Sequence, residues 1–197
     1  MKVGIIGCGL IGYKRANALN KHKIVGCFDK NKKLSKKFSE NFNCLDYKNV
    51  NELIKNKDID IVFICTFHNS LFKYTKLCLK NNKHILVEKP GAKNLQEISE
   101  LIKLSNKYNK LKIHVGYNHR FHPSIISARK IINKNILGKV MYIRARYGHG
   151  ARLNYNKEWR MIKKISGGGE LIDQGSHLID LSRLFLGELF VKNSLLK

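Results

Sequence analysis

The stretch VGIIGCGLIG, residues 3–12, decides the fold of this chain. A short apolar run typical of a buried strand leads directly into the spacing G-x-G-x-x-G, and an amphipathic pattern at 10–20 follows. This context suits a phosphate-binding turn. Gly7 permits the tight turn, Gly9 lets a pyrophosphate approach the backbone, and Gly12 lets the helix pack closely on the strand.

The next apolar run, IVGCF at 24–28, ends beside Asp29, seventeen residues after Gly12. A carboxylate in that position accepts hydrogen bonds from both ribose hydroxyls of an adenosine and repels a 2′-phosphate. The pattern therefore favours NAD over NADP, although the lysines at 30, 32 and 33 would attract a phosphate. The alternative interpretation is a glycine-rich turn followed by a surface aspartate.

The first 116 residues alternate between short, β-branched apolar runs and longer amphipathic patterns. Continuous apolar runs are typical of parallel strands buried on both faces, and the alternation implies right-handed βαβ crossovers. The sequence thus predicts an α/β fold with a doubly wound parallel sheet of the Rossmann type. Strands are expected at 3–6, 24–28, 59–65, 84–88 and 112–116, and helices at 10–20, 32–42, 49–56, 70–81 and 94–108.

The pattern changes at residue 117, and we expect a dinucleotide-binding domain at 1–117 and a partial substrate domain at 118–197. The second part is expected to be α+β and incomplete. One long strand with at most one short partner cannot form a stable sheet, and it would leave a long exposed edge. The expected elements are a helix at 123–134, a strand VMYIRARY at 140–147, a helix at about 170–186 and a short strand at 190–194.

The net charge of +24 raises the question of a nucleic-acid partner. The excess is lysine, with 30 Lys against 8 Arg, and it is spread along the whole chain. Specific recognition of phosphates and bases relies on the planar arginine fork, and the sequence shows no basic stripe with interleaved aromatic residues. The composition therefore favours a solvated basic surface, and a basic binding module is the weakest of the functional alternatives.

The five cysteines occur singly, without a C-x-x-C pair, within apolar runs typical of strands or helices. An odd number without framework spacing is typical of reduced thiols in a cytosolic protein. The N-terminal apolar run is short and rich in glycine, and no later segment approaches the length of a membrane span. The expected location is the cytoplasm, with no membrane partner.

Two segments carry candidate catalytic residues. The run HILVE at 84–88 leads into Lys89, at a carboxyl end of the predicted sheet, where open parallel sheets bind their ligands. Asp173 and His177 lie four residues apart on a predicted helix behind three glycines, so both side chains can reach one small molecule. The alternatives are a solvated pair on a surface helix and a metal site that includes Glu170 and Asp180. We do not expect a metal, since catalytic zinc sites commonly use two or three His or Cys ligands.

These residue types suit the oxidation of an alcohol. Removal of a hydride from a carbinol carbon requires that the hydroxyl proton also leave, and His177, with an ordinary pKa near 6.5, is the natural general base. Lys89 can stabilise the developing negative charge on the same oxygen. Asp173 can orient either the substrate or the imidazole.

Four ordered motifs resemble the Gfo/Idh/MocA family of glucose-fructose oxidoreductase, inositol dehydrogenase and their relatives. They are G-x-G-x-x-G at the start, E-K-P at 88–90, VGYNHRFHP at 115–123 and GGGELIDQGSHLID at 167–180, and together they span nearly all of the chain. The resemblance implies that Lys89, Asp173 and His177 converge on a hydroxyl of a sugar or polyol beside the nicotinamide, and that the peptide before Pro90 is cis. The residues expected to bind the cofactor are Gly7, Gly9, Leu10, Ile11, Gly12, Asp29, Thr66, Glu88, Lys89 and Asn118.

Two further segments are candidates for contact with the substrate, at the domain crossover and in the loop YGHGARLNYNKEWR at 147–160. Their mixture of rings and cations suits stacking on a sugar and binding of hydroxyls or phosphate. Equally open alternatives are helix capping and a surface ion pair at the crossover, and a loop folded over the domain junction with its tryptophan in the core. The expected substrate-binding residues are Arg120, His149, Tyr155, Trp159 and Arg160.

The resemblance also implies a mostly antiparallel sheet after the helix that carries Asp173 and His177, often used as the interface of a homo-oligomer. The sequence ends at Lys197, before such a sheet, so a homo-oligomer is not expected of this short chain. Three hypotheses compete: an NAD(P)-dependent dehydrogenase acting on a sugar, a polyol or an activated sugar, a truncated nucleotide-binding remnant without turnover, and a basic binding module.

Overall fold

The computed structural model describes residues 1–148 and 153–195. Its centre is a six-stranded, fully parallel sheet in the order β3-β2-β1-β4-β5-β6. The predicted doubly wound sheet is therefore confirmed. The strands are β1 (Lys2–Ile6), β2 (Lys23–Phe28), β3 (Leu45–Asp46), β4 (Ile61–Ile64), β5 (His84–Val87) and β6 (Ile113–Val115).

Helices connect the strands and cover the sheet. Those of the first part are α1 (Leu10–Asn17), α2 (Lys32–Phe42), α3 (Val50–Lys55), α4 (His68–Lys80) and α5 (Leu95–Lys107). Those after the last strand are α6 (Pro123–Asn133), α7 (Lys163–Ser166) and α8 (Ser176–Leu186), with a π-helical turn at Leu171–Gly175 and short 3₁₀ turns at Asn118–Phe121, Tyr155–Lys157 and Trp159–Met161.

Asparagine side chains fix the beginnings of several helices. Asn31, Asn49 and Asn94 each accept a hydrogen bond from a backbone N–H in the first turn of α2, α3 and α5. Such caps satisfy donors that have no partner within the helix. This explains why the predicted bounds of α2, α3 and α5 agree with the observed bounds to within one residue.

The apolar core lies on both faces of the sheet. Neighbouring residues of a strand point to opposite faces, so Ile5 packs in one cluster with Phe38 and Phe63, while Ile6 packs in the other with Ile64 and several residues of α3 and α4. The central strands are buried on both faces, as their continuous apolar sequences predicted. This core holds the carboxyl ends of β1, β4 and β5 in fixed positions.

The second part of the chain differs from the prediction in its strands. The expected strands at 140–147 and 190–194 are wrong, because the structure assigns neither segment to a strand and the side chains of Met141, Tyr142 and Phe190 are exposed. Alternating sequence makes a strand only when a partner satisfies its backbone groups. The sequence also missed β3, whose two residues are both exposed.

The predicted helix at 170–186 is present, but it is not uniform. Its first turn, Leu171–Gly175, is π-helical, and the regular helix α8 begins only at Ser176. Within the described residues, no helix combines the length and the apolar character needed to cross a membrane.

Candidate active site

The glycine turn after β1 has one packed side and one open side. Gly7 has a φ of +99°, and its N–H donates to the carbonyl of Phe28 at 2.8 Å. A Cβ atom on Gly12 would lie 2.1 Å from the Gly7 carbonyl oxygen, so only glycine fits there. A Cβ atom on Gly9 would meet nothing within 4 Å. The turn is therefore closed towards the sheet and open towards the space where a ligand would lie.

A cavity of about 390 Å³ lies beside this turn, at the carboxyl ends of β1, β2 and β4. Asp29 stands in its wall, and its two carboxylate oxygens accept hydrogen bonds from the N–H groups of Cys8 and Asn31, each at 2.8 Å. The predicted residue Thr66 also lines the cavity, with Phe67, Ser70 and Tyr74.

These residues fit the phosphate and adenosine parts of NAD. Helix α1 begins at the open Gly9 with no acidic residue in its first turn and no side-chain cap, so its first N–H groups at Leu10 and Ile11 can bind a phosphate. Asp29 keeps lone pairs for ribose hydroxyls, since a carboxylate accepts about four hydrogen bonds. Lys32 donates to the carbonyls of Tyr47 and Lys48, at 3.4 and 3.0 Å. That lysine is thus engaged elsewhere and is not a ready partner for a 2′-phosphate.

A guanidinium links helix α1 to the end of β5. Arg15 donates to the carboxylate of Glu88 at 2.6 Å and to the carbonyl oxygen of Gly116 at 3.3 Å. Glu88, predicted to bind the cofactor, is therefore held by Arg15 directly before Lys89. The peptide between Lys89 and Pro90 is cis, as the resemblance implied.

Lys89 and Asp173 form the centre of the site. The Lys89 ammonium donates to the Asp173 carboxylate and, at 2.7 Å, to the backbone carbonyl of the same residue. Arg160 and Gln174 donate to the other carboxylate oxygen, at 2.9 and 3.1 Å. Burial acts to raise the pKa of Asp173, but the hydrogen bond and charge of Lys89, together with Arg160, lower it below its ordinary value. The structure thus brings Lys89 and Asp173 together as an ion pair.

His177 lies one turn further along, yet its partners are different. Its ring is buried and stacks on that of His119, with centroids 3.8 Å apart and planes at 17°, while Tyr117 presents an edge at 5.8 Å. Among the described residues, Nδ1 of His177 is buried with no hydrogen-bond partner. Burial, with the nearby His119 and Lys89, lowers the pKa of His177 to about 4. The ordinary pKa near 6.5 that the sequence suggested does not apply, and the imidazole is neutral at pH 7.

The remaining predicted substrate residues are engaged with protein groups. Arg120 forms a two-point ion pair with Asp180, with one N–O distance of 2.7 Å, as the surface-pair alternative anticipated. The Tyr155 hydroxyl donates to the carboxylate of Glu170. Asn118, predicted to bind the cofactor, is exposed. His149 lies outside the described residues.

Trp159 lies at the junction of the two parts of the chain, half-buried. Its ring stacks on Phe67 at 4.9 Å and meets the edge of His68 at 4.8 Å, and the Arg160 guanidinium lies 4.8 Å from the ring centre. This agrees with the alternative of a loop folded over the domain junction. Because Phe67 also lines the cavity, Trp159 joins the loop to the wall of the nucleotide pocket.

Sequence reasoning missed three contributors to the site: Arg15, His68 and His119. His119 stands in the motif YNHRFHP, but no local spacing indicated that its ring would meet that of His177. His68 is buried and hydrogen-bonds through Nδ1 to the carbonyl of Ser166 at 2.8 Å. Within the described ranges 1–148 and 153–195, no group of three or more His, Cys, Asp or Glu side chains is placed to hold a metal ion.

The parallel sheet with a glycine turn at its first crossover defines a dinucleotide-binding α/β protein of the Rossmann type. The chain belongs to the Gfo/Idh/MocA oxidoreductase family. The family's sequence model, described as an oxidoreductase family with an NAD-binding Rossmann fold, matches residues 1–117, and the model of the GFO/IDH/MocA C-terminal domain matches residues 125–193.

Relatives of known activity match most of the chain. It is 30% identical over 194 residues to the trans-1,2-dihydrobenzene-1,2-diol dehydrogenase of Xenopus tropicalis, covering 95% of this chain and 57% of that enzyme. It is 32% identical over 187 residues to the glucose-6-phosphate 3-dehydrogenase of Bacillus subtilis (strain 168), covering 91% and 52%. The chain thus spans about half the length of these relatives.

A solved structure shows the same arrangement of elements. A levoglucosan dehydrogenase in complex with NADH and L-sorbose matches with a TM-score of 0.84 at 25% identity, covering 95% of this chain and 53% of that one.

Proposed function

We propose that this chain carries the cofactor site and the catalytic residues of an NAD-dependent oxidoreductase, which transfers a hydride between the nicotinamide and a hydroxyl-bearing carbon of a sugar or polyol. The observation that carries the proposal is the Lys89 ammonium, held on Asp173 after the carboxyl end of β5, on the same edge of the parallel sheet as the glycine turn. The activities of the relatives, which include glucose-6-phosphate and dihydrodiol dehydrogenases, support the substrate class.

NAD supplies the hydride acceptor when it is bound, and the protein has to hold it and manage the substrate proton. Gly9 and the beginning of α1 would hold the pyrophosphate, and Asp29 would hold the adenosine ribose. Thr66 lies in the same cavity and is available to contact the cofactor. The repulsion between Asp29 and a 2′-phosphate makes NAD the preferred cofactor over NADP.

Lys89 is the group that would stabilise the substrate oxygen. Two of its three N–H donors are used on Asp173, which leaves one for a hydroxyl oxygen. Since Asp173 is bound to two further donors, it fixes the ammonium in place and offsets its charge. The ammonium then favours the negative charge that grows on the oxygen as its proton leaves.

His177 would accept that proton. Because it is neutral at pH 7, a nitrogen lone pair is free to do so. A base of such low pKa is weak, and the neighbouring Lys89 makes the transfer easier by lowering the pKa of the bound hydroxyl. Arg160 and Tyr155, with partners in the protein, would shape the substrate site, while contacts to substrate by Arg120, Trp159 and His149 remain predictions.

The same proposal includes a division of the chain at residue 117 into a nucleotide-binding part and a substrate part. Separate family models for 1–117 and 125–193 support it. We further propose a cytoplasmic location, supported by five free cysteines. Burial raises the pKa of Cys78 to about 12, so this thiol stays protonated at neutral pH.

The cofactor site can be tested with Trp159, the only tryptophan of the chain. Energy transfer from Trp159 to bound NADH measures affinity, because the indole stacks on a residue of the cavity wall. Gly9→Ala should fold normally and weaken NADH binding by about tenfold, since its methyl group enters the space of the pyrophosphate. Gly148→Ala, whose added Cβ also meets nothing within 4 Å, is the matched control and should bind normally.

Unchanged affinity of Gly9→Ala would refute the placement of the pyrophosphate. Turnover is tested separately, by NADH formation from NAD with a panel of sugars, sugar phosphates and polyols. Turnover that is lost in Lys89→Ala supports the proposed reaction. Binding of NADH with no turnover on any substrate would instead favour a nucleotide-binding remnant.

A further inference from the structure

His177 lacks the carboxylate that would orient it as a general base. Asp173, four residues earlier, accepts hydrogen bonds from Lys89, Arg160 and Gln174. Asp180, three residues later, is bound by Arg120 at both oxygens. Among the described residues, Nδ1 of His177 has no partner at all. A histidine base is normally oriented by a hydrogen bond to its second nitrogen, so here the orientation must have another source.

The rings around His177 provide that source. His119 lies face to face with it at 3.8 Å, and Tyr147 stacks on His119 with centroids 5.8 Å apart and planes at 22°. We call Tyr147, His119 and His177 the three-ring stack. Tyr117 closes the side of His177 with its edge. A ring covered on one face and one side can neither flip nor tilt without displacing its neighbours.

We propose that His119 is a positioning residue, whose stacked ring holds the imidazole of His177 in one orientation so that Nε2 is the nitrogen that exchanges a proton with the substrate. Nδ1 is buried and cannot reach a ligand, so proton transfer has to pass through Nε2. This inference rests on the proposed function, in which His177 is the base.

The charges around the stack support this arrangement. The charged groups near His177 are Lys89, Asp173 and Asp180, of which only Asp180 lies on α8 itself. Its ring neighbours are His119, in the 3₁₀ turn, and Tyr117, directly before that turn. Burial and the charge of Lys89 lower the pKa of His119 below its ordinary value. Both imidazoles are therefore neutral at pH 7 and stack without repulsion. Protonation of either ring in acid should loosen the stack.

Two substitutions at His119 separate the effect of a stacked ring from the effect of the acid-base chemistry of an imidazole. His119→Phe keeps a flat ring that can stack, whereas His119→Ala removes it. His122→Ala is the control, because His122 is an exposed histidine in the same segment whose ring hydrogen-bonds to the Ser124 hydroxyl, and the substitution keeps the backbone hydrogen bond from His122 to His119. The first measurement is the pKa of His177 in ¹⁵N-histidine-labelled chain, read from its two nitrogen shifts across pH, because the stacked ring contributes to the burial that lowers this pKa. The second is kcat and KM on the best substrate of the panel, across pH.

We expect the pKa of His177 to be about 4 in the native chain, and to stay well below 6.5 in His119→Phe and His122→Ala. His119→Ala should raise the pKa of His177 towards 6.5, because the uncovered ring meets water, and should lower kcat by about tenfold to a hundredfold, with KM changed by less than about threefold. His119→Phe should keep kcat within about threefold of the native value. A thermal unfolding midpoint for each variant separates loss of positioning from loss of folding.

The inference is overturned if His119→Ala keeps both the native pKa of His177 and the native kcat, or if His119→Phe changes both as much as His119→Ala does. Should His119→Ala not fold, the comparison of His119→Phe with the native chain still decides between stacking and imidazole chemistry. Should the native chain show no turnover, the proposed function fails for this chain, while the pKa of His177 continues to test the role of His119.

Discussion

The two parts of the chain bury different kinds of side chain. Every described hydrophobic residue that is fully buried lies between Val3 and Leu101, on the sheet and its helices. Beyond residue 117, the buried residues of the described chain are Ser166, Asp173, His177 and Asp180, all of them polar or ionisable. The first part is thus stabilised by removal of apolar surface from water, whereas the buried side chains of the second part are held by ion pairs and ring contacts.

This difference has consequences for function. A hydrophobic core is insensitive to pH and gives the carboxyl ends of the strands fixed positions. Ion pairs depend on the charge of each member, and a buried pair that loses one member is costly. The side chains proposed to act in catalysis therefore also hold the region in which they lie, and a change to one of them is expected to affect both activity and local stability.

The largest effect is expected in the core. Phe38 is completely buried and its ring contacts Tyr13 and Phe42 at 5.0 and 4.5 Å. Phe38→Ala should lower the free energy of unfolding by about 3–5 kcal/mol, measured by urea denaturation, because it removes apolar burial and leaves a cavity. Phe190→Ala, at a residue 94% exposed, should change it little. If the two substitutions lowered the free energy of unfolding equally, the first part would not be the one that apolar burial stabilises.

A smaller and more local effect is expected at the ion pair. Asp173→Asn leaves Lys89 and Arg160 without their shared carboxylate and should destabilise the second part by about 3 kcal/mol. Hydrogen exchange should then rise in residues 155–186 and stay unchanged in the sheet. Asp58→Asn, which breaks an exposed pair with Lys2, is the control and should have no measurable effect. Faster exchange throughout the sheet of Asp173→Asn would contradict an effect confined to the second part.

The smallest effect is expected from acid. His177 has a pKa of about 4 in the folded chain and near 6.5 when unfolded, so between these values the unfolded chain binds more protons. The stability contributed by neutral His177 is complete above pH 6.5 and is lost as the pH falls towards 4, by about 2 kcal/mol at pH 5. Near-ultraviolet circular dichroism of Trp159 measures this loss. His177→Gln should weaken this pH dependence and leave the part that comes from His119 and His68, whose pKa values burial also lowers. A native signal independent of pH over this range would show that His177 is not held neutral.

Much of the fold could be predicted because its signals are local. Continuous β-branched runs indicated β1, β2, β4, β5 and β6, and the glycine spacing indicated where a phosphate would lie. The strand at 140–147 could not be judged from its own sequence, since a strand requires a partner that alternation of residues does not supply. The two-residue strand β3 has no apolar pattern to find.

The sequence named Lys89, Asp173 and His177 as candidates, and their roles stay predictions, but it could not predict how they pair. The i, i+4 spacing placed Asp173 and His177 one turn apart, and the end of the predicted strand placed Lys89 at the carboxyl edge of the sheet, as the structure has them. The expectation that Asp173 could orient the imidazole of His177 is not met in the structure, because Lys89 and Arg160 bind both carboxylate oxygens. These two partners of Asp173 lie 84 and 13 positions away along the chain, so no local sequence pattern could identify them. The low pKa of His177 follows from burial that only the folded chain reveals.

Arg15 has a further consequence for anyone who redesigns this protein. Its guanidinium joins helix α1 both to Glu88, the neighbour of Lys89, and to the backbone at Gly116. An engineer who exchanges α1 to change the cofactor preference would therefore also change the support of Lys89, the lysine proposed to act in catalysis. Helix α1 and the tripeptide at 88–90 are best transplanted together, as one module, with the arginine retained.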